Sequence, residues 1–330
     1  MEPARGFAYA MQVTDTTHIM AAGVAAFAKA LEILRGGGVV ALPTETVYGL
    51  AADARNSAAV AKIYALKGRP AHNPLIAHVL RPDWAKDLAH IGPLAQSLME
   101  AFWPGPLTLV LPRKENALCH QAGGWLSTIA VRCPDTPWSE PFIAGGWSAP
   151  LFMPSANLSG RISPTRASHV AADFGTDVDL IIDGGLCRGG VESTVLEVHD
   201  DFAVLLRPGI IAAEDFAPFV PDLRLPEPAQ TLSAPGMLSS HYAPRARVRL
   251  NAAAARAGEA HLGFGEIGGE LNLSKSGNTL EAARNLYDYL RRLDRAEVSV
   301  IAIAPIPHTQ LGNAINDRLN RAAADRGTNE

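Results

Sequence analysis

The chain has 330 residues, of which 48% are hydrophobic and 19% are charged, and its formal net charge is −4. This length is enough for a full-sized core and a second, smaller domain. No apolar run reaches the 18 residues that a membrane-spanning helix needs, and a protein that holds nucleic acid mainly by electrostatic attraction would be basic. We therefore expect no membrane segment, and any contact with RNA would involve a local patch.

The cysteines indicate the compartment. Cys119, Cys133 and Cys187 are far apart in the sequence and form no Cys-x-x-Cys pair. This spacing argues against a zinc ribbon and against a disulfide framework, and it is typical of a cytoplasmic protein. The first 20 residues contain no sustained apolar segment, so we expect no signal peptide.

Helical and strand patterns alternate through the first two-thirds of the chain, as in an α/β layer fold. Apolar spacing predicts a helix over residues 25–35 and another over 57–67, the latter with Asn56 or Ser57 as its N-cap and Gly68 just after its last turn. Short apolar segments of strand length lie at 39–43, 74–80, 107–112, 127–132, 150–154, 179–185, 193–198 and 203–209.

A third helix is predicted beyond the polar loop that follows residue 154. Ser163 is placed as its N-cap, Pro164 as its first residue and Gly175 as its terminator. The free N–H groups at such a helix start would attract phosphate or carboxylate.

The composition changes after about residue 212. Residues 213–245 are rich in proline and lack periodicity, which predicts a linker that crosses the surface. Residues 246–330 repeat the alternation on a smaller scale and predict a second α/β domain. A formal G-x-G-x-x-G motif begins at Gly263, but the next helix starts only near Thr279, so we interpret it as a loop at a strand end rather than as a dinucleotide site.

Polar side chains lie at the ends of several predicted strands and helices, near the strand ends where open α/β sheets bind ligands. The groups are Thr44, Glu45 and Thr46; Lys67 and Arg69; Ser155, Asn157 and Ser163; and Ser193, Thr194 and Arg207. Each group also has an ordinary explanation, because a lysine at a helix end complements the helix dipole, hydroxyls satisfy turns and caps, and a strand-end arginine can simply be exposed. Together they supply cations and hydroxyls without a P-loop, a zinc motif or a nucleophile elbow. This inventory favours nucleotidyl or phosphoryl transfer, in which the protein positions two substrates and neutralises phosphate charge.

Six motifs carry a family resemblance: PTETVYGLAADA, KIYALKGRPAHNPLIAHV, FWPGPLTLVL, TIAVRCPD, PSANLSGRISPT, and GGVESTVLEV with LLRPG. In their order and spacing they resemble the YrdC/Sua5 family, the L-threonylcarbamoyladenylate synthases, from about residue 27 to 212. The later PGMLSSHYAPRA and the terminal α/β segment are similar to the long, two-domain Sua5 branch. Ala51 departs from the glycine of many relatives, which is a modest change.

The resemblance implies an α/β fold with a twisted, open, mixed sheet, flanking helices and a concave, positively charged cleft, followed by a small Rossmann-like α/β domain. We accordingly expect four parts: an N-terminal extension (1–22), a YrdC-like catalytic domain (23–212), a linker that covers the active site (213–245) and a Sua5 C-terminal domain (246–330).

The implied reaction converts L-threonine, bicarbonate and ATP into threonylcarbamoyl-AMP and pyrophosphate. A partner machinery then transfers the threonylcarbamoyl group to adenosine 37 of tRNAs that read ANN codons. The family's catalytic signature falls on Lys67, Arg69, Ser155 and Asn157. The positions expected along ATP are Arg69, Asn73, Thr128, Ser155, Ser163, Arg207 and Tyr242, the last of which would close over the nucleotide. Those expected to hold threonine or its carbamate are His78, Arg132, Ser193 and Thr46, with Thr44 as the close competitor of Thr46.

Mg²⁺ is expected to be carried by the ATP phosphates, which would explain the lack of a dedicated metal motif. We expect a monomer, and direct contact with tRNA is left open. A rival interpretation is a nucleic-acid-binding module, which would show salt-sensitive RNA binding without threonine-dependent turnover. A second rival is a carbamoyl-transfer enzyme of the hydrogenase-maturation type, which shares this domain but adds zinc-finger and acylphosphatase segments that we do not find in the sequence.

Overall fold

The computed structural model describes residues 18–115, 118, 122–123, 125–226 and 241–324. In these ranges the helices are α1 (Val24–Arg35), α2 (Ser57–Lys67), α3 (Pro93–Phe102), α4 (Ser139–Ala144), α5 (Ala167–Phe174), α6 (Thr279–Leu293) and α7 (Leu311–Ala323). The strands are β1 (Ile19–Ala21), β2 (Val40–Leu42), β3 (Gly49–Asp53), β4 (Ala77–His78), β5 (Leu107–Pro112), β6 (Thr128–Arg132), β7 (Leu151–Phe152), β8 (Leu180–Asp183), β9 (Thr194–Val198), β10 (Ala203–Arg207), β11 (Leu223–Arg224), β12 (Arg247–Arg249), β13 (Glu259–Gly263), β14 (Leu271–Asn272) and β15 (Val300–Ile303).

Eleven of these strands form one open sheet in the order β1-β8-β2-β3-β7-β4-β6-β5-β9-β10-β11. Its pairs are mixed. For example, β8 runs parallel to β2 and β5 parallel to β9, whereas β3 and β7 are antiparallel, as are β5 and β6. The large mixed sheet with flanking helices that the sequence predicts is therefore confirmed. β4 is much shorter than the predicted 74–80 strand, and it places His78 beside Arg132 of β6.

The second domain is built on a smaller, all-parallel sheet in the order β12-β15-β13-β14. Leu286 and Leu290 of α6 join Ile301 of β15 in one apolar cluster. The glycine-rich motif lies where β13 ends, and α6 begins at Thr279, which confirms a loop rather than a helix-opening fingerprint. No helix in the described ranges has both the length and the apolar character to cross a bilayer.

The ends of α2 follow from local chemistry. The Asn56 side chain accepts hydrogen bonds from the N–H groups of Ala58 and Ala59, and Gly68 has a φ of 57°, in the left-handed region. Glycine adopts that conformation without the steric penalty of a Cβ, so the chain can turn sharply after Lys67. Both predicted ends of this helix are confirmed, and the turn determines the direction in which Arg69 leaves the helix.

The predicted start of the third helix is wrong. α5 begins at Ala167, with Arg166 as its N-cap residue, and Ser163 caps nothing. The Ser163 hydroxyl instead donates to Glu192 at 2.5 Å, and the carbonyl of Pro164 accepts from the N–H of Tyr48. These tertiary contacts outweigh the local capping preference, so the expected anion-attracting helix start does not lie at Ser163. The predicted terminator, Gly175, does follow the last turn of α5.

Two edge strands lie in segments that the sequence places outside the catalytic domain. β1 falls in the 1–22 extension and pairs with β8, and β11 falls in the 213–245 linker and pairs with β10. These segments thus contribute backbone pairing to the large sheet. Cys119 and the linker residues 227–240 lie outside the described residues.

The two domains share an extensive contact. Val47, Ile162 and Val191 of the first domain belong to the same apolar cluster as Leu286 of α6. Around this cluster, Arg291 of α6 donates to both carboxylate oxygens of Asp173, at 2.9 and 2.7 Å, and Arg166 donates to Asp288 at 2.8 Å. The second domain therefore lies directly against the loops that carry the polar residues discussed next.

Candidate active site

The predicted loops converge on one cavity, whose empty space is about 680 Å³ when its open mouth is counted. Four cationic side chains are among the described residues that line it: Lys67, Arg69, Arg132 and Arg207. All four are almost entirely buried. Other lining residues from the predicted set are Thr44, Thr46, His78, Ser155, Ser193 and Tyr242. The cavity is thus strongly cationic, although the chain as a whole is acidic.

Lys67 ends α2 inside the protein rather than in solvent. Its Nζ donates to the backbone carbonyls of Ser155 and Asn157, at 2.6 and 2.5 Å. Burial, together with the nearby Arg69 guanidinium, holds the pKa of Lys67 well below its usual range. The solvated helix-end explanation is therefore excluded, because this ammonium group ties α2 to the loop after β7.

Arg69 is held by the turn that follows Gly68. Its Nε donates to the Asn73 carbonyl at 3.1 Å, and its Nη2 donates to the Asn73 side chain at 2.6 Å and to the Pro74 carbonyl at 2.8 Å. Burial lowers the pKa of Arg69 to about 10, so the group remains a cation at neutral pH. Asn73 does not itself line the cavity; it orients Arg69, which does.

Arg132 and Thr46 lie together in another part of the cavity wall. Arg132 Nη2 donates to Thr46 Oγ1 at 3.0 Å and lies 2.7 Å from Glu45 Oε1, and Arg132 Nε donates to the Gly105 carbonyl at 3.3 Å. Thr44 and Thr46 also share a hydrogen bond of 2.8 Å, and the Thr44 hydroxyl donates to the Val47 carbonyl. Thr44 is thus engaged in holding the turn, whereas Thr46 points its hydroxyl towards Arg132.

His78 is fully buried next to Arg132. Burial and the positive charge of Arg132 lower the pKa of His78 to about 3, so the imidazole is neutral near pH 7. Its Nδ1 lies 3.2 Å from the Ile76 carbonyl. We assign the ring proton to Nδ1 on this contact, which leaves Nε2 as a hydrogen-bond acceptor.

Arg207, at the end of β10, folds back over β9. Its Nε and Nη2 donate to the Ser193 carbonyl at 3.1 and 3.0 Å, and Nη2 also donates to Ser193 Oγ at 3.1 Å. Ser193 Oγ lies 2.7 Å from Thr108 Oγ1. A strand-end arginine that could have been exposed is therefore anchored in the cavity wall.

Tyr242, near the end of the predicted linker, also lines the cavity. It is 1% exposed and adopts a φ of 61°, and its ring lies 4.2 Å from that of His241. His241 also lines the cavity, and its buried Nδ1 has no hydrogen-bond partner within the described part of the chain. Burial lowers the pKa of His241 to about 3. Sequence analysis missed His241, although it directly precedes Tyr242 in the HYAP motif.

The remaining predicted residues lie around the cavity rather than in its wall. Asn157 donates from its side chain to the carbonyls of Leu158 and Arg161, while its own carbonyl holds Lys67. Thr128 lines a smaller neighbouring cavity together with Pro74, whose carbonyl accepts from Arg69. Ser163 lies behind Glu192, a lining residue that sequence analysis also missed.

Comparison with known proteins identifies the family. Residues 32–209 match the Sua5/YciO/YrdC family, described as "Telomere recombination", and residues 211–324 match "Threonylcarbamoyl-AMP synthase, C-terminal domain". Curated proteins named threonylcarbamoyl-AMP synthase from Bacillus subtilis (strain 168) and Pyrococcus abyssi (strain GE5 / Orsay) are each 40% identical. The first alignment covers 94% of this chain and 97% of the relative, and the second covers 89% and 92%. The chain belongs to the Sua5/YciO/YrdC family.

A solved structure of this family extends the likeness to both domains. The crystal structure of P. abyssi Sua5 complexed with L-threonine matches with a TM-score of 0.84 at 37% identity, covering 92% of this chain and 96% of that chain. The chain is therefore a Sua5-type member of the Sua5/YciO/YrdC family with the two-domain architecture that the sequence predicts.

Proposed function

We propose that this protein is a threonylcarbamoyl-AMP synthase, which makes threonylcarbamoyl-AMP and pyrophosphate from L-threonine, bicarbonate and ATP. The observation that carries the proposal is the convergence of Lys67, Arg69, Arg132 and Arg207 in one buried cavity beside the hydroxyls of Thr46, Ser155 and Ser193. Two anionic reactants repel each other in water, and buried cations reduce that repulsion far more than exposed ones do.

The threonine subsite is placed at Thr46, His78, Arg132 and Ser193. Arg132 Nε and Nη2 already contact Gly105, Thr46 and Glu45, so it would hold the α-carboxylate of threonine through its remaining nitrogen, Nη1. Neutral His78 presents Nε2 as an acceptor, which suits an O–H or N–H donor of the substrate rather than its carboxylate. We choose Thr46 over Thr44 for substrate contact, since Thr46 Oγ1 accepts a hydrogen bond from Arg132, the residue proposed to hold the substrate carboxylate.

The nucleotide is placed along Arg69, Ser155, Arg207 and Tyr242, with the phosphates towards Lys67. Pro74 connects Arg69 to the small cavity at Thr128, so a nucleotide that passes Arg69 could reach Thr128 with its base or ribose. Ser163 donates its proton to Glu192, which leaves its oxygen as an acceptor. Because Ser163 lies behind Glu192, it would act on the nucleotide site through that carboxylate.

In the proposed reaction bicarbonate takes up a proton and loses water to give CO₂. The threonine amine then adds to the carbon of CO₂, forms a C–N bond and releases a proton to give a carbamate. A carbamate oxygen then attacks the α-phosphorus of ATP. The bond from that phosphorus to the bridging oxygen breaks, and pyrophosphate leaves with its electron pair. The protein holds both anions in contact and stabilises the charge that develops on the leaving group, which is the task of Lys67, Arg69 and Arg207.

Magnesium would enter with ATP. Among the described lining residues the carboxylate is that of Glu192, and both of its oxygens accept hydrogen bonds from protein groups. Among the described lining residues the only carboxylate is therefore engaged by protein groups, and we propose that Mg²⁺ is held mainly by phosphate oxygens and water. Its chemistry there would be to neutralise the pyrophosphate leaving group.

The product would be used by a partner machinery that transfers the threonylcarbamoyl group to adenosine 37 of ANN-decoding tRNAs. We place the enzyme in the cytoplasm as a monomer; the buried thiols of Cys133 and Cys187 are free, which suits a reducing compartment.

The test is pyrophosphate release from MgATP with and without threonine, and with and without bicarbonate. Release that depends on both is the expected result. Release that needs neither would contradict the proposal, and salt-sensitive RNA binding without any threonine-dependent release would favour a nucleic-acid-binding module instead.

A further inference from the structure

Glu192 is an acidic residue in the wall of a cavity that we propose for anionic substrates. It is 6% exposed and directly precedes Ser193, which anchors Arg207. A bare carboxylate at this position would repel the nucleotide phosphates and would compete with them for Arg207. The charge of Glu192 therefore has to be compensated by the protein itself.

Much of that compensation comes from the second domain. Glu192 Oε2 accepts from Arg318 Nε of α7 at 2.7 Å, and the Tyr287 hydroxyl of α6 lies 3.1 and 3.0 Å from its two oxygens. Ser163 of the first domain donates to Oε1 at 2.5 Å. Burial favours the neutral acid, but Arg318 and Arg207 outweigh it and lower the pKa of Glu192 to about 2, so the group is a carboxylate at neutral pH.

Arg318 also reaches two other parts of the nucleotide site. It is 1% exposed, its Nη1 donates to the Pro208 carbonyl at 2.8 Å, and its guanidinium carbon lies 5.1 Å from the centre of the Tyr242 ring. Pro208 follows Arg207 directly. The side chain of Arg318 thus contacts Glu192, the backbone next to Arg207, and the ring of Tyr242. The last is a cation–π contact.

We propose that Arg318 is a positioning residue of the nucleotide site: from the second domain it pairs with Glu192, so that this carboxylate competes less with the phosphates of ATP for Arg207, and it supports Pro208 and Tyr242. The inference rests on the proposed function for the identity of the ligand. It gives the second domain a specific part in the first domain's site, through charge as well as through packing.

The test measures binding of the ATP analogue with a methylene group between the α- and β-phosphorus atoms, which cannot release pyrophosphate. Arg318→Met removes the ion pair with Glu192, so the carboxylate competes more strongly with the phosphates for Arg207 and binding of the analogue should weaken about tenfold or more. The KM for threonine should change by less than about threefold, because Arg318 lies on the nucleotide side. Arg318→Lys, which keeps the charge, should recover much of the affinity. Arg295→Met is the matched control, since Arg295 pairs with Glu270 on the surface of the same domain.

The double variant Glu192→Gln with Arg318→Met separates charge from packing. If compensation of Glu192 matters, the double variant should bind the analogue within about threefold of the wild type, although the interface has lost an ion pair. An Arg318→Met variant that binds normally, or a folded double variant as weak as the single one, would overturn the inference. If Arg318→Met does not give folded protein, the double variant is compared with the wild type alone. Affinity for the analogue within about threefold supports the inference, and a loss of about tenfold or more overturns it. A wild type that binds the analogue but shows no threonine-dependent pyrophosphate release would refute the proposed function and leave this binding comparison valid.

Discussion

Arg132→Lys tests the threonine subsite most directly. Arg132 is 4% exposed and is held by the Glu45 carboxylate at 2.7 Å, the Thr46 hydroxyl at 3.0 Å and the Gly105 carbonyl at 3.3 Å. A lysine keeps the positive charge opposite Glu45, but its ammonium is a point charge that cannot form a planar fork. The substitution therefore separates the charge of Arg132 from its geometry.

The expected loss follows from the hydrogen bonds that the fork makes. A hydrogen bond to a charged group contributes about 1.5–3 kcal/mol, so losing one to the threonine carboxylate should raise the threonine KM roughly 10- to 150-fold. The KM for ATP should change little, because the proposed nucleotide site lies at Arg69 and Arg207. Stability should fall less than in Arg132→Met, which leaves Glu45 as an unpaired buried carboxylate at a cost of about 3–5 kcal/mol.

The assay is pyrophosphate release at varied threonine and fixed, saturating ATP, then the reverse, together with urea unfolding of both variants. Arg81→Lys is the control, since Arg81 forms an exposed pair with Glu140 at 3.8 Å. An unchanged threonine KM in Arg132→Lys, or an equal rise in both KM values, would refute this assignment of the subsite.

Three further outcomes are expected. Arg69→Ala should lower turnover by orders of magnitude while the far-ultraviolet circular dichroism stays native, and near-normal turnover would move the nucleotide site elsewhere. A chain that ends at residue 215 should lose activity, because it lacks Tyr242 and Arg318; a fully active fragment would reduce the rest to a tether. Finally, the low pKa values of His78 and His241, about 3 against the usual 6.5, mean that the unfolded state takes up protons first. Their stabilisation is fully present above about pH 6.5 and is lost towards pH 3, by up to about 1.4 kcal/mol per pH unit each. His78→Asn should make the urea midpoint depend less on pH in this window, and an unchanged dependence would contradict a neutral buried imidazole.

The sequence was most informative where the cause of the structure is local. Asn56 and Gly68 define the ends of α2 through contacts within a few residues, and both could be predicted. Ser163 has the composition of a helix cap, but its hydroxyl is used by Glu192, 29 positions away. Glu192 and Arg318 were not found at all, since the meaning of each depends on the other and 126 residues separate them. Only the packing of the second domain against the first brings this pair together.

The net charge of −4 does not predict a strongly cationic cavity. The cavity keeps its positive charge because of the way in which its cations are held. Lys67 donates to two backbone carbonyls, and Arg69 donates to two carbonyls and an amide oxygen. In the described part of the chain neither forms an ion pair with a carboxylate. Carbonyl dipoles orient these cations without cancelling their charge, so the charge remains for a polyphosphate, whereas Arg132 already faces Glu45. Cations held by carbonyl dipoles suit a polyanion, and an arginine already paired with a carboxylate suits a singly charged group. These are the two substrates that the proposed reaction requires.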